Sequence, residues 1–180
     1  MLKVITLNEK SLREKSEQLG RMIENSGWMP DLIIGIKTGG AYVAQYIKQM
    51  DYFVDCNYNE VVLQRKGTKV KKRLMFDKLS RLMPYLLLDV LRIYEIYISE
   101  VFQKKEQFYI SNRKIELSEE LKKQILKSRR VLLIDDAIDS GKTMIDVKQN
   151  ILSVNNSLDV RTAVLTVTHL NPYISPDHGC

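Results

Sequence analysis

Two adjacent carboxylates, Asp135 and Asp136, close a short apolar run, and a polar turn follows them. The stretch reads Val131-Leu-Leu-Ile-Asp-Asp-Ala-Ile-Asp-Ser-Gly-Lys-Thr143, with a helix pattern from Lys142 onward. A buried strand that ends in two acids delivers both to its C-terminal tip. The backbone N–H groups of a turn and a helix start lie open beside them, and such groups suit a phosphate. Paired acids suit a ribose diol, a bound Mg2+, or both. Together these residues describe a pocket for a phosphorylated sugar.

Gly141-Lys142-Thr143 is also the tail of a nucleoside-triphosphate loop. That loop needs a glycine five positions earlier, to open around the phosphates. Asp136 stands there, and its charge would repel a triphosphate. An ordinary strand and turn would not account for two acids, Asp139-Ser140-Gly141-Lys142-Thr143 and a helix start in one run. A second segment has a related design. Asp31-Leu-Ile-Ile-Gly-Ile-Lys-Thr-Gly-Gly40 is a strand pattern followed by a turn, and Gly39 and Gly40 let backbone approach an anion closely.

The 131–143 segment resembles the phosphoribosyl pyrophosphate (PRPP) signature of type I phosphoribosyltransferases, and 31–40 resembles their pyrophosphate loop. Ser175-Pro-Asp177 is similar to the Pro-Asp-aromatic segment of purine-type members. Trp28-Met-Pro-Asp31 looks like the lead-in of bacterial xanthine and hypoxanthine enzymes. The resemblance covers about two-thirds of the chain. It implies a mostly parallel α/β sheet flanked by helices, and transfer of phosphoribose from PRPP to a purine-like base with release of pyrophosphate.

By the same resemblance, Asp135 and Asp136 hold the ribose hydroxyls and, directly or through water, Mg2+. The 5-phosphate falls to Ala137, Ile138, Asp139, Ser140, Gly141, Lys142 and Thr143. Pyrophosphate falls to Lys37, Thr38, Gly39 and Gly40, and the peptide that the family often holds cis is Lys37–Thr38. Asp139 is placed as general base, beside its simpler reading as a turn or N-cap residue. His169 stands where purine-type members carry a base-recognising lysine, seven residues before the Pro-Asp pair; a structural hydrogen-bonding role is the plainer reading. The family continues past the Pro-Asp pair with an aromatic segment that caps the base; with the sequence read to Cys180, the resemblance implies a base site that is completed elsewhere, altered or lost.

Composition sets the wider frame. The chain has 180 residues, 44% of them hydrophobic, enough for a single domain with its own core. No signal-peptide pattern or membrane-length apolar run is evident. Two lone cysteines at no metal-ligand spacing suit a reducing cytosol, so a cytoplasmic protein is expected. The net charge of +6 fits an anionic substrate or nucleic acid. Its densest cluster, Arg65 to Arg73, reads as a solvated hairpin or loop or as a phosphate-facing patch, without the interleaved aromatics that stack on single strands.

The elements that must position these residues alternate in type. Residues 9–25 read as an amphipathic helix, with Ser11 and Glu14 as a capping box. Leu32–Ile36 reads as a strand and Ala41–Met50 as a helix; Phe53–Asp55 and Val61–Arg65 read as short strands. Ser118–Lys127 is a helix capped by Ser118, Val131–Ile134 a strand, Thr143–Leu152 a helix and Val160–Thr168 a strand. Such alternation implies a parallel sheet with ligands at the carboxyl ends of its strands, where both anion loops fall. His178 is expected at a frayed end.

Residues 74–105 form a long helical pattern within the single domain, apolar on most faces and divided or kinked at Pro84. It packs either on its own domain or against a second copy or partner; Asp89, Arg92 and Glu95 at its centre argue against a membrane. The expected activity is phosphoribosyl transfer. The alternative is a catalytically altered PRPP- or nucleotide-binding module of a regulatory, nucleic-acid-associated or defence assembly.

Overall fold

The computed structural model describes residues 9–63, 115–168 and 172–179. The 65–73 cluster, the 74–105 helix pattern and His169 lie outside these residues. The described elements run α1 (Glu9–Asn25), β1 (Leu32–Ile36), α2 (Gly39–Lys48), a 3-10 turn (Asp51–Phe53), β2 (Asn57–Val61), α3 (Glu119–Lys127), β3 (Arg130–Ile138), α4 (Lys142–Val154), β4 (Asp159–Val167) and β5 (His178–Gly179).

The strands pair in the order β2-β1-β3-β4-β5, and every pairing is parallel. A parallel sheet is covered on both faces, so its strands read as continuous apolar runs. All five residues of β1 are buried. Alternate side chains go to opposite faces. Leu32, Ile34, Val131 and Leu133 pack with Leu121 and Ile125 of α3 and Met144, Val147 and Ile151 of α4. Ile33, Leu132, Ile134 and Ala163 pack with Leu19 and Ile23 of α1, Val43, Ala44 and Ile47 of α2, and Phe53. The result is the α/β architecture that the alternation implies.

The N-terminal end of the sheet is stitched by side chains. The Asp31 carboxylate accepts the N–H groups of Arg129 and Arg130, each at 2.8 Å. Trp28 donates its indole N–H to Asp159 at 2.6 Å, and the Arg161 guanidinium lies 4.7 Å from the Trp28 ring centre. Trp28-Met-Pro-Asp31 is therefore the seam that registers β1 with β3 and β4. Gly27 leaves α1 at φ 69°, a conformation that favours glycine, and donates to Glu24.

Several expectations are corrected. Helix α1 begins at Glu9, so Ser11 lies inside its first turn and heads no capping box. Phe53–Asp55 is not a strand: Phe53 closes the 3-10 turn, and fills the core as a fully buried side chain. The strand is Asn57–Val61 instead, so Val61 ends it rather than starting one. The Tyr-Asn-Glu sequence hid it, because β2, the outer strand among the described residues, carries polar residues that an apolar-run criterion rejects. The Ser118 cap is present, its hydroxyl accepting Leu121 N–H at 3.2 Å.

Candidate functional site

Strand β3 is four residues longer at its C-terminal end than its apolar run, and carries Asp135 and Asp136 within it. Ala137 and Ile138, expected in the phosphate turn, belong to the strand and pair with Thr166 and Val167 of β4. The paired neighbour explains the extension: β4 offers a ladder, and that outweighs the polar side chains. Asp135 is half-buried and Asp136 exposed. Asp135 also accepts the Asp136 N–H at 2.9 Å.

The first turn of α2 lies against these acids. Gly39 and Gly40, expected in a loop, are the first helical residues. A Cβ at Gly39 would collide with the Asp136 carboxylate, and one at Gly40 would sit 2.6 Å from both Asp135 Cα and the Ile134 carbonyl oxygen. The two glycines thus let the positive end of α2 reach the end of β3. The Lys37–Thr38 peptide just before them is cis, as the resemblance implies.

The turn expected over 137–143 is shorter than its sequence implies. Asp139 and Ser140 form the turn, and Gly141, at φ 82°, is the N-cap of α4. Asp139 is therefore a turn residue two positions before the cap. Its carboxylate accepts the Thr168 hydroxyl at 3.3 Å. The loop is braced from the C-terminal segment: Tyr173 N–H donates to the Ser140 carbonyl at 2.9 Å, and the Lys142 ammonium lies 5.2 Å from the Tyr173 ring centre. A Cβ at Gly141 would meet Ile174 Cγ2 at 2.8 Å.

Helix α3 is capped by a side chain, whereas the N-cap residues of α2 and α4, Thr38 and Gly141, make no side-chain cap bond. The first N–H groups of α2 and α4 therefore receive nothing from their own cap side chains, and a helix start of that kind suits an anion. Sequence reading missed Glu60. Its carboxylate pairs with Lys37 at 2.5 Å, and that ammonium is the main reason its pKa lies below the ordinary glutamate range. The one legible signal was alternation: Tyr58 and Glu60 fall on the same side of β2.

Asp177, of the Pro-Asp pair, is spent on structure. It accepts Thr162 N–H at 2.8 Å and the Thr162 hydroxyl at 3.0 Å, docking β5 on β4. His178 is not frayed; it sits in β5 opposite Ala163, and burial pushes its imidazole below the ordinary pKa of 6.5.

Among the described residues no group of three or more His, Cys, Asp or Glu side chains could hold a metal. Asp135 and Asp136 do fit a Mg2+ carried in by its substrate. That ion keeps to one or two carboxylates and takes its other oxygens from phosphates and water. No helix among the described residues is long and apolar enough to cross a membrane.

Known proteins place this arrangement. Residues 4–178 match the family model described as the phosphoribosyl transferase domain. No curated protein is similar to the chain by sequence. Among solved structures, the purine phosphoribosyltransferase of Pyrococcus horikoshii is 15% identical, with 96% of this chain and 82% of that one covered at a TM-score of 0.55. The xanthine-guanine-hypoxanthine phosphoribosyltransferase of Helicobacter pylori is 10% identical, with 96% and 82% covered and a TM-score of 0.55. A hypothetical protein from Neisseria gonorrhoeae with bound ppGpp is 18% identical, with 99% and 82% covered and a TM-score of 0.56. At these identities the likeness is one of fold, and the match across nearly the whole length decides the family: the chain belongs to the phosphoribosyl transferase domain family.

Proposed function

We propose that the protein transfers the 5-phosphoribosyl group of PRPP to a purine-like base and releases pyrophosphate. The observation that carries this reading is the close approach of the first turn of α2, at Gly39 and Gly40, to Asp136 and Asp135 at the end of β3, with the start of α4 following on the same strand.

The reaction breaks the bond between ribose C1 and pyrophosphate, so positive charge grows on the ring and negative charge on the leaving group. Positioning and electrostatics do most of the work. The N–H groups from Asp139 to Thr143, with the Ser140 and Thr143 hydroxyls, hold the 5-phosphate. Asp135 and Asp136 hold the ribose hydroxyls. Lys37 and the backbone from Thr38 to Gly40 hold pyrophosphate. Asp139 takes the proton from the base nitrogen as the new bond forms. Asp135 and Asp136 would hold a Mg2+, directly or through water, and that ion would supply charge neutralisation at the leaving group. His169 is the candidate for contacting the base. A cytoplasmic protein, paired through 74–105 with a second copy or with a protein partner, completes the reading; nucleic acid remains a partner compatible with the net charge of +6.

The test is calorimetry of PRPP with Mg2+, alongside pyrophosphate release on hypoxanthine, guanine, xanthine, adenine and uracil. Asp135→Asn with Asp136→Asn should weaken PRPP binding more than about tenfold, since hydrogen bonds to charged groups contribute about 1.5–3 kcal/mol each. Undiminished affinity in that variant would sink the assignment. A second reading is a regulatory module that binds a phosphorylated nucleotide without transfer, favoured by the ppGpp of the Neisseria gonorrhoeae neighbour. Tight PRPP or nucleotide binding with no pyrophosphate released on any base would select it.

A further inference from the structure

Lys37 is the charged side chain of the 37–40 segment, and it is already engaged. Its ammonium pairs with Glu60 Oε2 at 2.5 Å. The other carboxylate oxygen, Oε1, accepts the Tyr58 hydroxyl at 2.7 Å and the Gln45 amide N–H at 3.2 Å. Two neutral donors from β2 and α2 thus fix one oxygen, and the second is left to face Lys37. The backbone supports the same alignment: Gly35 and Glu60 are register partners, and Lys37 N–H donates to the Val61 carbonyl at 2.9 Å. Burial and the neighbouring Glu60 raise the Tyr58 hydroxyl pKa, so it stays a donor at neutral pH. The Lys37 side chain is 46% exposed, so an anion can reach the ammonium without unfolding the pair.

We propose that Glu60 is a positioning residue that competes with the pyrophosphate group for the Lys37 ammonium, and so loosens the hold on pyrophosphate. This rests on the reading of 37–40 as the pyrophosphate site. An anion that leaves in every turnover must be held in the transition state without being trapped afterwards. A carboxylate fixed beside the cation does that. It takes back Lys37 as pyrophosphate departs, while the backbone N–H groups of the loop grip independently of it.

The experiment is calorimetry with inorganic pyrophosphate and Mg2+ on four proteins: wild type, Glu60→Gln, Lys37→Met and the double variant. Glutamine keeps the contacts to Tyr58 and Gln45 within reach and removes the charge. Glu60→Gln should bind pyrophosphate about two- to fivefold more tightly, the range expected for a partly exposed ion pair. In the Lys37→Met background the same change should shift affinity by less than about twofold, because its route through Lys37 is gone. Equal tightening in both backgrounds would reduce Glu60 to a general negative charge and overturn the proposal. Unchanged or weaker binding by Glu60→Gln, with wild type still binding, would overturn the proposal alone. No binding by wild type or Glu60→Gln would overturn both it and the pyrophosphate assignment.

Discussion

The two ends of the sheet are built on opposite plans. At the N-terminal end, side chains close the backbone: Asp31 takes the N–H groups of Arg129 and Arg130 where β3 starts, and Asp159 takes the Trp28 indole. At the C-terminal end glycines replace side chains, and the N-cap residues Thr38 and Gly141 make no side-chain cap bond. The closed end spends its polar groups on registering strands. On the proposed function, the other presents backbone donors and the Asp135 and Asp136 carboxylates to a phosphorylated ligand. Substitutions at the first end should therefore cost stability alone, and at the second binding.

Gly40→Ala should produce the largest effect and blur the division, because the added Cβ meets main chain of β3 at 2.6 Å rather than a movable side chain. Forced backbone shifts of this kind cost about 1–3 kcal/mol. Denaturant unfolding should register that loss, and PRPP binding should disappear with it. A stable variant with full affinity would mean that α2 does not need its close approach to Asp135.

Asp31→Ala should then sharpen the contrast. It orphans the Arg129 and Arg130 N–H groups at the opposite end, and the side chain is 39% exposed, so water recovers part of the loss. A destabilisation of about 1–2 kcal/mol is expected, with PRPP affinity unchanged in calorimetry at a temperature where the fold is intact. Weakened affinity in the folded variant would show that the seam and the site are coupled.

The smallest effect concerns pH. His178 has its pKa lowered by burial, with Arg161 adding to this and Asp177 opposing it. The folded state thus prefers the neutral ring, so the unfolded chain binds more protons just below pH 6.5. Stability should be full above that value and fall as pH drops through the folded pKa. His178→Asn should flatten this part of the stability curve; an unchanged slope in thermal melts would assign it to another group.

The central architecture was legible because its signals are local and strong. Leu32–Ile36 is apolar throughout, α1 carries its stripe from Leu12 to Ile23, and Ser118 heads a helix with two acids behind it. The acid pair could be read for the same reason, whereas Gly39 and Gly40 read as a loop and are the first residues of α2. What escaped depends on neighbours far away in sequence. Strand β3 runs on through Asp135 because β4 pairs with it, and β2 is too polar to announce itself. Glu60 matters only because parallel pairing sets it beside β1, next to Lys37. Asp177 was read for its family motif, while Thr162 commits it to docking β5.

The long reach of the β1–β3 pairing has a consequence for how the molecule is made. Leu32 pairs with Val131, and Gly39 meets Asp136, so the centre of the sheet waits for residues synthesised some hundred positions later. Until β3 leaves the ribosome, β1 has β2 on one side and an unsatisfied edge on the other, with its apolar face half covered. Contacts of such sequence separation close slowly and leave intermediates open to association. Gly39 and Gly40 meet Asp136 and Asp135 only when that last central strand docks. An N-terminal fragment ending before β3 should bind no PRPP and should aggregate, and adding residues 115–180 in trans should restore both solubility and binding together.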